Sequence, residues 1–364
     1  MENLLSTTPI FLWYFFLSTI ENTMRPFFHC FALAVLVFSL VGCKKASTTT
    51  PAANPPANSG TGLIDPATLK GSMVFQSNFE PPCAVVPINA TTDKITGKDA
   101  LLGSSNDWDA LQGNVLSTMP YFNYNGGDLS KRFARIATDP VNASNKVLHY
   151  SINDSWTETG GDTKARVQYE FYGIKGGYKE YYQSVRMFLP DEFSLLRKYP
   201  NTIKWLTIVE IWNNITWSQT VPNRYRLTLG IGKLIPTEDD LHFILDAQDC
   251  LLNPDGSQVY TTLWSENGAK SAVPIGKWFT LEYYFKEGDA KNGRFYMTIE
   301  PDSGKKEMIF DVTNVTHNSK DTAPDGVTHF NPMKMYTSKE LIAFLKQQGR
   351  SLNIYWDDFK LWKK

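Results

Sequence analysis

The sequence predicts an all-β fold, a sandwich or a barrel, with one short helix near the C-terminus. Three observations predict it. Segments that alternate apolar and polar residues dominate the chain from about residue 70 onward. Turns such as Gly176-Gly177 and Asn292-Gly293 fall between these segments. Helical periodicity is nearly absent and no internal repeat suggests a propeller or a solenoid, so packed antiparallel sheets are the expected architecture.

The N-terminal part of the chain is predicted to be a secretion signal. Residues 24–43 contain Arg25, continue with a short apolar run and end in Leu40-Val41-Gly42-Cys43. The run is too short for a membrane span. The final tetrapeptide resembles the lipobox of bacterial lipoproteins, which makes Cys43 the predicted lipidation site; an ordinary signal peptide cut nearby is the alternative. Residues 1–23 precede a complete signal and are interpreted as a misassigned start, with a real anchor segment as the alternative.

Residues 44–70 are predicted to be a flexible linker, which leaves a single domain over residues 71–364. Residues 44–62 of this linker are rich in Thr, Pro, Ala, Asn and Ser and have almost no apolar residues, so they cannot bury a core. We therefore expect a lipid-anchored protein of the cell envelope, located at the outer membrane.

The composition limits the classes of ligand that the domain is expected to bind. The formal net charge is −1, with 36 basic and 37 acidic residues and no basic stripe, which argues against nucleic acid. The 10 Trp and 17 Tyr are numerous enough to supply both a core and platforms for sugar rings. Cys83 and Cys250 fall inside the domain, where an exported protein can form a disulfide. The sequence leaves that pairing open.

Strands and one helix are predicted along the domain. The strands are expected at residues 73–79, 133–137, 146–152, 164–172, 179–189, 203–212, 224–231, 241–247, 277–286, 294–300, 307–312 and 352–362. The helix is expected to begin after Ser338 as N-cap and to end before Gly349, because an apolar stripe at Leu341, Ile342 and Leu345 lies between them.

Several strands carry an unusual polar face. Arg166, Gln168 and Glu170 alternate with apolar residues in one strand. The same bias recurs in three others, at Arg226, at His242 and at the pair Lys334 and Tyr336. A solvated face is usually rich in Lys, Glu, Thr and Ser, whereas these side chains present several hydrogen-bonding groups from stiff or planar ends. The pattern predicts a groove that grips a polysaccharide; a salt-bridged outer face is the alternative.

The segment LTIVEIWNN, residues 206–214, places a carboxylate in a buried strand. Simple alternation puts Leu206, Ile208, Glu210 and Trp212 on one face. An isolated buried carboxylate is costly, so Glu210 needs a charged partner, a proton or a wet groove.

Four segments carry a resemblance to a known family. They are the Arg166-x-Gln168-x-Glu170 strand, the strand and "Y-x-P"-like turn YYQSVRMFLPDEF (181–193), the "G-x-W"-like hairpin at 276–299 with a two-residue Asn292-Gly293 turn, and Met333-Lys334-Met335-Tyr336, similar to a K-x-G-x-Y strand. Together they resemble the concanavalin A-like jelly rolls, specifically the polysaccharide lyases of alginate, glucuronan and heparin-lyase type. The resemblance implies a β-jelly-roll sandwich of two antiparallel sheets.

The resemblance also implies a chemistry, the β-elimination of a uronate-containing polysaccharide. That reaction needs a group that neutralises the C5 carboxylate, a base for the C5 proton and an acid for the departing O4. Tyr336 matches the catalytic tyrosine of the family and Lys334 accompanies it. Arg166, Gln168 and Arg226 are the expected carboxylate-binding residues, since an arginine fork suits that geometry.

The chain departs from the family in the segment LTIVEIWNN, residues 206–214. Alginate-type lyases often have Q-I-H there, whereas the matching positions here are Glu210-Ile211-Trp212. A negative charge then lies where a uronate carboxylate needs neutralising. Glu210 could be clamped by Arg166 or Arg226, or could bind a neutral sugar together with Trp212. His242 is the best remaining catalytic histidine and His149 the next.

Two other function classes stay open. A laminarinase-type hydrolase needs E-x-D-x-x-E on one strand, and neither Glu210 nor the pair Glu282 and Glu287 provides that spacing. A non-catalytic glycan-binding module needs only the groove and aromatic platforms, for which the candidates are Trp205, Trp212, Trp217 and Trp264.

No cofactor is expected to be required, although a structural calcium ion is predicted as a lesser possibility. Folds of this kind often tie the first strand to the last with an ion. Glu80 and Asp358, with Asn78 and Asp357 beside them, offer the hard oxygen ligands that calcium prefers.

Overall fold

The computed structural model describes residues 62–99, 102, 106–124, 129–157, 163–213, 224–253 and 258–364. The strands in it are β1 (Ser72–Ser77), β2 (Ala84–Asn89), β3 (Thr92–Thr96), β4 (Tyr121–Asn123), β5 (Arg132–Thr138), β6 (Lys146–Ile152), β7 (Trp156–Thr157), β8 (Thr163–Tyr172), β9 (Glu180–Phe188), β10 (Leu206–Asn213), β11 (Arg224–Gly232), β12 (His242–Leu252), β13 (Gln258–Asn267), β14 (Trp278–Lys286), β15 (Arg294–Pro301), β16 (Glu307–Thr313), β17 (Val327–Asn331), β18 (Lys334–Ser338) and β19 (Leu352–Lys363). The helices are α1 (Pro66–Leu69), α2 (Leu111–Asn114), a 3₁₀ helix (Asp191–Lys198) and α3 (Lys339–Gln347).

These strands form two antiparallel sheets, which confirms the predicted β-jelly-roll sandwich. Sheet A has the order β16-β15-β14-β9-β19-β6-β5, with β1 also paired to β19. Sheet B has the order β13-β12-β11-β10-β17-β8-β4-β3-β2. In sheet B, β18 pairs with both β8 and β10, and β7 pairs with β8. The strand β18 therefore lies between β8, which the sequence singled out for its polar face, and β10, which it singled out for the buried carboxylate of Glu210.

The core lies between the two sheets and is built from the apolar face of each. In β8 of sheet B, Val167, Tyr169 and Phe171 are fully buried. In β14 of sheet A, Leu281 and Tyr283 are equally buried. Strand alternation sends the intervening residues to the opposite side of each sheet. The polar residues of β8 therefore occupy the face of sheet B that points away from the core.

All the predicted strands are present, with ends shifted by a few residues, but several further strands are not among them. The strands outside the predicted ranges are β2, β3, β4, β7, β13, β17 and β18, although the polar face of β18 was predicted from Lys334 and Tyr336. The strands β17 and β18 flank Pro332, where Asn331-Pro332 is typical of a turn. Strand β13 lies at the edge of sheet B and carries Thr, Ser, Glu and Asn, so its hydrophobic alternation is weak.

A β-bulge in β10 changes which residues of the segment 206–214 face the core, so the predicted face is wrong after the bulge. The register shifts between Thr207, which is opposite Gly230, and Val209, which is opposite Leu229. A bulge adds one residue to one strand and so reverses the alternation that follows. Leu206 and Ile208 consequently belong to the core, whereas Glu210 and Trp212 face the other way.

The hairpin predicted at residues 276–299 is present as β14 and β15, but its turn is not the expected two residues. The last paired residues are Lys286 and Arg294, so the connection spans residues 287–293. Asp289 closes it by accepting hydrogen bonds from the backbone N–H groups of Lys291 and Asn292 at 2.8 and 3.0 Å. A Cβ atom at Gly293 would lie 2.2 Å from the carbonyl oxygen of Asn314, which explains the glycine.

The predicted helix is confirmed as α3. Ser338 is its N-cap, with Oγ accepting a hydrogen bond from the N–H of Leu341 at 3.4 Å. Leu341 and Leu345 are buried against the sandwich. Gly349 adopts a φ of 66° after the last turn, a conformation that favours glycine.

The end of the predicted linker is packed on the domain. Leu69 is buried in a small cluster with Tyr182, Tyr284 and Tyr296 on the outer face of sheet A. The N–H of Ile64 donates a hydrogen bond to Tyr296 Oη at 3.0 Å. The folded part therefore begins before residue 71. The rest of the linker and residues 1–43, including Cys43, lie outside the described residues.

Cys83 and Cys250 are both buried and are not joined by a disulfide. Burial raises the pKa of the Cys83 thiol to about 11, and the nearby Asp99 adds to this effect. None of the helices in the described part of the chain is long and apolar enough to span a bilayer.

Candidate active site in the cleft of sheet B

A cleft of about 450 Å³ opens on the face of sheet B that points away from the core. Five side chains dominate its wall, namely Glu210, Arg226, Gln248, Tyr260 and Tyr336. The other lining residues are Lys164, Lys204, Trp205, Leu206, Thr207, Thr228, Gly230, Ile244 and Asp246. Most of these residues come from β8, β10, β11, β12, β13 and β18, so the cleft crosses the sheet from strand to strand.

Strand register explains why four of the predicted site residues meet. Tyr336 in β18 is directly opposite Arg166 in β8 and Thr207 in β10. Lys334, two residues earlier, points to the same face. Glu210, after the bulge in β10, also points to this face. Because β18 pairs with both β8 and β10, these side chains converge at one place.

Tyr336 lies at the cleft with two cations against its ring. The guanidinium carbon of Arg166 is 4.3 Å from the ring centroid and Lys334 Nζ is 4.9 Å from it. The indole of Trp205 meets the ring edge-on, with centroids 4.6 Å apart. Tyr336 is 7% exposed, so only a small part of the residue reaches the cleft. A ring held this way has a fixed position and positive charge beside it.

Glu210 is neutralised by the same group of cations. One carboxylate oxygen accepts a hydrogen bond from Lys334 Nζ, and the other lies 3.5 Å from Arg226 Nη1. Burial on its own would raise the pKa of Glu210, but Lys334 and Arg226 outweigh burial and hold the pKa below its usual range. Burial also lowers the pKa of Lys334 to about 8, in spite of the opposing effect of Glu210. The negative charge of Glu210 is therefore clamped, as one sequence alternative proposed.

Arg226 forms the next part of the wall. Its Nε donates a hydrogen bond to Gln248 Oε1 at 3.0 Å, and its guanidinium carbon lies 4.4 Å from the ring centroid of Tyr260. Its side chain is 20% exposed, so part of the guanidinium still faces the cleft. Trp212 lies against Arg226 and is fully buried, which rules it out as a sugar platform in this conformation.

Glu170 and Gln168 do not line the cleft, contrary to the prediction that they bind substrate. Glu170 is completely buried and accepts hydrogen bonds from Asn331 Nδ2 at 2.7 Å, from Asn123 Nδ2 at 3.2 Å and from Gln168 Nε2. His329 Nε2 lies 2.7 Å from its second oxygen. Burial would raise the pKa of Glu170, but the hydrogen bond and charge of His329, the charge of Lys334 and the hydrogen bond from Gln168 together outweigh it and hold the pKa at about 2. Glu170 and its hydrogen-bond partners therefore hold β4, β8 and β17 together and form a structural brace.

His329 is the site-adjacent residue that the sequence reasoning missed. It lies 1% exposed beneath the polar face of sheet B and stacks on Tyr172, with ring centroids 3.7 Å apart. The available signal was the alternation of His329 and Asn331 around the buried Phe330, just before Pro332. Tyr260 was also missed, because β13 was not predicted as a strand.

The two histidines predicted as catalytic candidates lie elsewhere. His242 begins β12, and its Nε2 lies 2.5 Å from Glu238 Oε1; it does not line the cleft. His149 belongs to sheet A, where it stacks on Tyr355 with centroids 4.2 Å apart and contacts Asn353 Oδ1 at 3.0 Å. Burial lowers the pKa of His149 to about 4. Both rings have structural partners.

The tryptophans that were predicted as platforms for sugar rings lie in different parts of the molecule. Trp205 is half-buried and lines the cleft. Trp264 is buried, and its Nε1 donates a hydrogen bond to the carbonyl oxygen of Val315 at 2.7 Å, so it belongs to the core. Trp217 lies outside the described residues.

The residues proposed for calcium do converge, in a hollow of about 340 Å³ between the end of β1 and the middle of β19. Glu80, however, accepts a hydrogen bond from the N–H of Lys146 at 2.9 Å, and Asp357 accepts one from Asn145 Nδ2 at 3.0 Å. Burial, aided by Asp358, raises the pKa of Asp357 to about 7. Among the described residues, no three His, Cys, Asp or Glu side chains are placed to hold a metal ion. The donor set does not fit calcium well, and the ion stays a prediction.

Several solved structures are similar to the chain. They include a glucuronan lyase from the fungus Trichoderma reesei (TM-score 0.40, 11% identity, 64% of this chain and 87% of that chain). An alginate lyase variant in complex with an alginate tetrasaccharide has a TM-score of 0.39 and 14% identity over 66% of this chain and 87% of that chain. An alginate lyase from Aplysia kurodai has a TM-score of 0.36 and 9% identity over 63% and 87%.

No family model and no curated protein sequence matches the chain. At such low TM-scores and identities we base the function on the side chains of the cleft alone.

Proposed function

We propose that the protein is a polysaccharide lyase that cleaves a uronate-containing polymer by β-elimination in the cleft of sheet B. The observation that carries the proposal is Tyr336, a phenol at the cleft surface with Arg166 and Lys334 packed against its ring. A tyrosine with adjacent cations is suited to proton transfer, because positive charge stabilises the phenolate that removes a proton.

The proposed reaction uses one residue for both proton transfers. The phenolate of Tyr336 takes the C5 proton of the uronate, the C5 electron pair forms the new C4–C5 double bond, and the bond between C4 and O4 breaks. The phenol then gives its proton to O4, so the enzyme ends in its starting state. Arg226 is the cleft-facing cation that is placed to bind the uronate carboxylate, with Gln248 fixing its orientation.

The clamped Glu210 removes the main objection to an acidic substrate. An uncompensated carboxylate in the cleft would repel a uronate. Because Lys334 and Arg226 both contact Glu210, two cations balance the charge of this carboxylate. The arrangement also disfavours hydrolysis, since a glycosidase needs a general acid with a raised pKa, and the pKa of Glu210 is lowered.

A glycan-binding module without catalysis is the second candidate. The observation that favours it is the composition of the wall: among the described residues that line the cleft, there is no histidine to act as a separate base. A lyase would therefore have to use Tyr336 for both proton transfers.

The experiment incubates the protein with a panel of uronate and neutral polysaccharides and follows the ultraviolet absorbance of an unsaturated uronate. We expect product from a uronate polymer and a rate loss of about 10²- to 10⁴-fold in Tyr336→Phe, with binding retained. Tyr121→Phe is the matched control, because Tyr121 lies on the same sheet but does not line the cleft. Binding without product in the wild type would establish the module instead, and a fully active Tyr336→Phe would exclude the assigned role.

We also propose that the domain is tethered to the cell envelope through a lipid on Cys43. The support is the tetrapeptide Leu40-Val41-Gly42-Cys43 after an apolar run. We expect a labelled fatty acid to be incorporated into the wild type and not into Cys43→Ser. Equal labelling of both proteins would contradict the anchor.

A further inference from the structure

Trp156 is an exposed tryptophan at one end of the polar face of sheet B. It is 38% exposed and belongs to β7, a strand of two residues that pairs only with β8. A short edge strand of this kind does not need a large indole for its own stability. The indole offers solvent both a flat apolar face, which can stack on a sugar ring, and an N–H donor.

The register places Trp156 on the same face as the cleft. Trp156 is directly opposite Lys164, and directly opposite residues of an antiparallel pair point to the same side. Lys164 lines the cleft and lies two residues before Arg166, which packs on Tyr336. The Cα atom of Trp156 is therefore roughly 5 Å across the sheet from that of Lys164, which in turn lies roughly 7 Å along β8 from that of Arg166. This separation is on the scale of one sugar residue of a polysaccharide.

The charge at this end of the cleft favours an acidic sugar. Lys164 and Lys204 both line it. The two carboxylates among the described lining residues already have partners: Glu210 contacts Lys334 and Arg226, and Asp246 accepts a hydrogen bond from Ser265 Oγ at 2.6 Å. Asp154, two residues before Trp156, is already paired with Lys346 at 3.0 Å, and Glu158, two residues after it, lies outside the described residues.

We propose that Trp156, with Lys164 and Lys204, forms a distal subsite that binds a uronate residue of the same chain beyond the point of cleavage. The indole stacks on the face of the sugar ring, and the lysines attract its carboxylate. This inference rests on the proposed function of the cleft. It predicts that the protein prefers oligosaccharides long enough to reach Trp156.

The experiment measures binding of uronate oligosaccharides of increasing length. The background is Tyr336→Phe, so that the ligand stays intact. We expect affinity to rise by roughly 3- to 10-fold at the length that reaches Trp156, and Trp156→Ala to abolish this step while shorter oligosaccharides bind as before. Trp156→Phe keeps an aromatic face and should retain most of the step. Ile235→Ala, at a residue that is 56% exposed and does not line the cleft, is the surface control.

The outcomes separate the subsite from the function of the cleft. Binding of uronate oligosaccharides with an unchanged length dependence in Trp156→Ala would overturn the subsite and leave the proposed function intact. A wild type that neither binds nor cleaves any uronate polymer would overturn both. Loss of affinity at every length, with a lowered melting temperature, would show that Trp156 has a structural role and would also overturn the subsite.

Discussion

Glu170 and Glu210 are both buried on the polar face of sheet B, yet they are held by different chemistry. Glu170 is surrounded by the amides of Asn123, Gln168 and Asn331 and by the ring of His329, all buried or half-buried. Glu210 is held by two charged side chains, Lys334 and Arg226, at the wall of the cleft. The amides around Glu170 donate hydrogen bonds to its carboxylate and do not line the cleft. Charged partners at a cavity can also interact with a ligand.

This difference shows that neither burial nor residue type distinguishes a carboxylate that holds strands together from one that belongs to a ligand-binding cleft. Glu170 ties β4, β8 and β17 together and is completely buried. Glu210 adjusts the charge of the cleft, because it balances Lys334 beside Tyr336. Five predictions would break or sharpen this comparison.

The largest effect is expected from Lys334→Met. It leaves Glu210 buried with only Arg226 at 3.5 Å, and removing one partner of a buried pair costs about 3–5 kcal/mol of unfolding free energy. We expect product formation to fall with it. The measurement is urea unfolding together with the ultraviolet assay.

A double variant separates the two roles of the Lys334–Glu210 pair. Lys334→Met with Glu210→Leu replaces the pair by apolar groups, which is often close to neutral for stability. We expect stability to recover and activity to remain lost. Recovery of both would show that the pair has no role in the cleft.

Glu170→Gln should lower the unfolding free energy by about 1–3 kcal/mol and leave oligosaccharide affinity unchanged. The effect depends on pH. Because the pKa of Glu170 is about 2 in the folded protein and about 4.3 in an unfolded chain, its contribution is fully present above the unfolded value. It is lost as the pH falls toward 2. The variant should show a shallower acid limb, and an identical limb in both proteins would contradict the brace.

Oligosaccharide binding should weaken at alkaline pH with a midpoint near the Lys334 pKa of about 8. When Lys334 loses its proton, Glu210 keeps its charge and repels a uronate. If only the protonated form binds, affinity falls about tenfold by pH 9. The measurement uses Tyr336→Phe, in which the phenol cannot contribute. An affinity that stays constant from pH 7 to 9 would separate Lys334 from binding.

The smallest effect concerns Arg224, which is fully buried and whose guanidinium nitrogens have no hydrogen-bond partner among the described residues. A buried charge without a partner is unfavourable, so Arg224→Met should raise the unfolding free energy by about 1 kcal/mol. The matched control is Arg132→Met, because Arg132 is equally buried but donates to the carbonyl oxygens of Tyr124 and Asp154 at 3.0 and 2.9 Å. That variant should be destabilised, and equal effects in both would contradict the argument.

Much of the fold was predictable because its signals are local. Alternation in β8 identified the face that carries Arg166, and the caps Ser338 and Gly349 bounded α3. Tyr336, Lys334, Arg226 and Glu210 were also predicted for the site, and the structure places all four together. The bulge at Thr207 and Val209 was not predictable, because nothing in the local residues distinguishes it from regular alternation.

The sequence by itself determined the two packed sheets, the helix and the residue types on the polar face, since these depend on period and on neighbours along the chain. Only the tertiary structure decided which charges meet. His329 lies 159 residues from Glu170, and Lys334 lies 124 residues from Glu210. Such pairs depend on strand register, which many distant contacts set together. For that reason Glu170 became a brace and Glu210 part of a cleft, although their sequence patterns are alike.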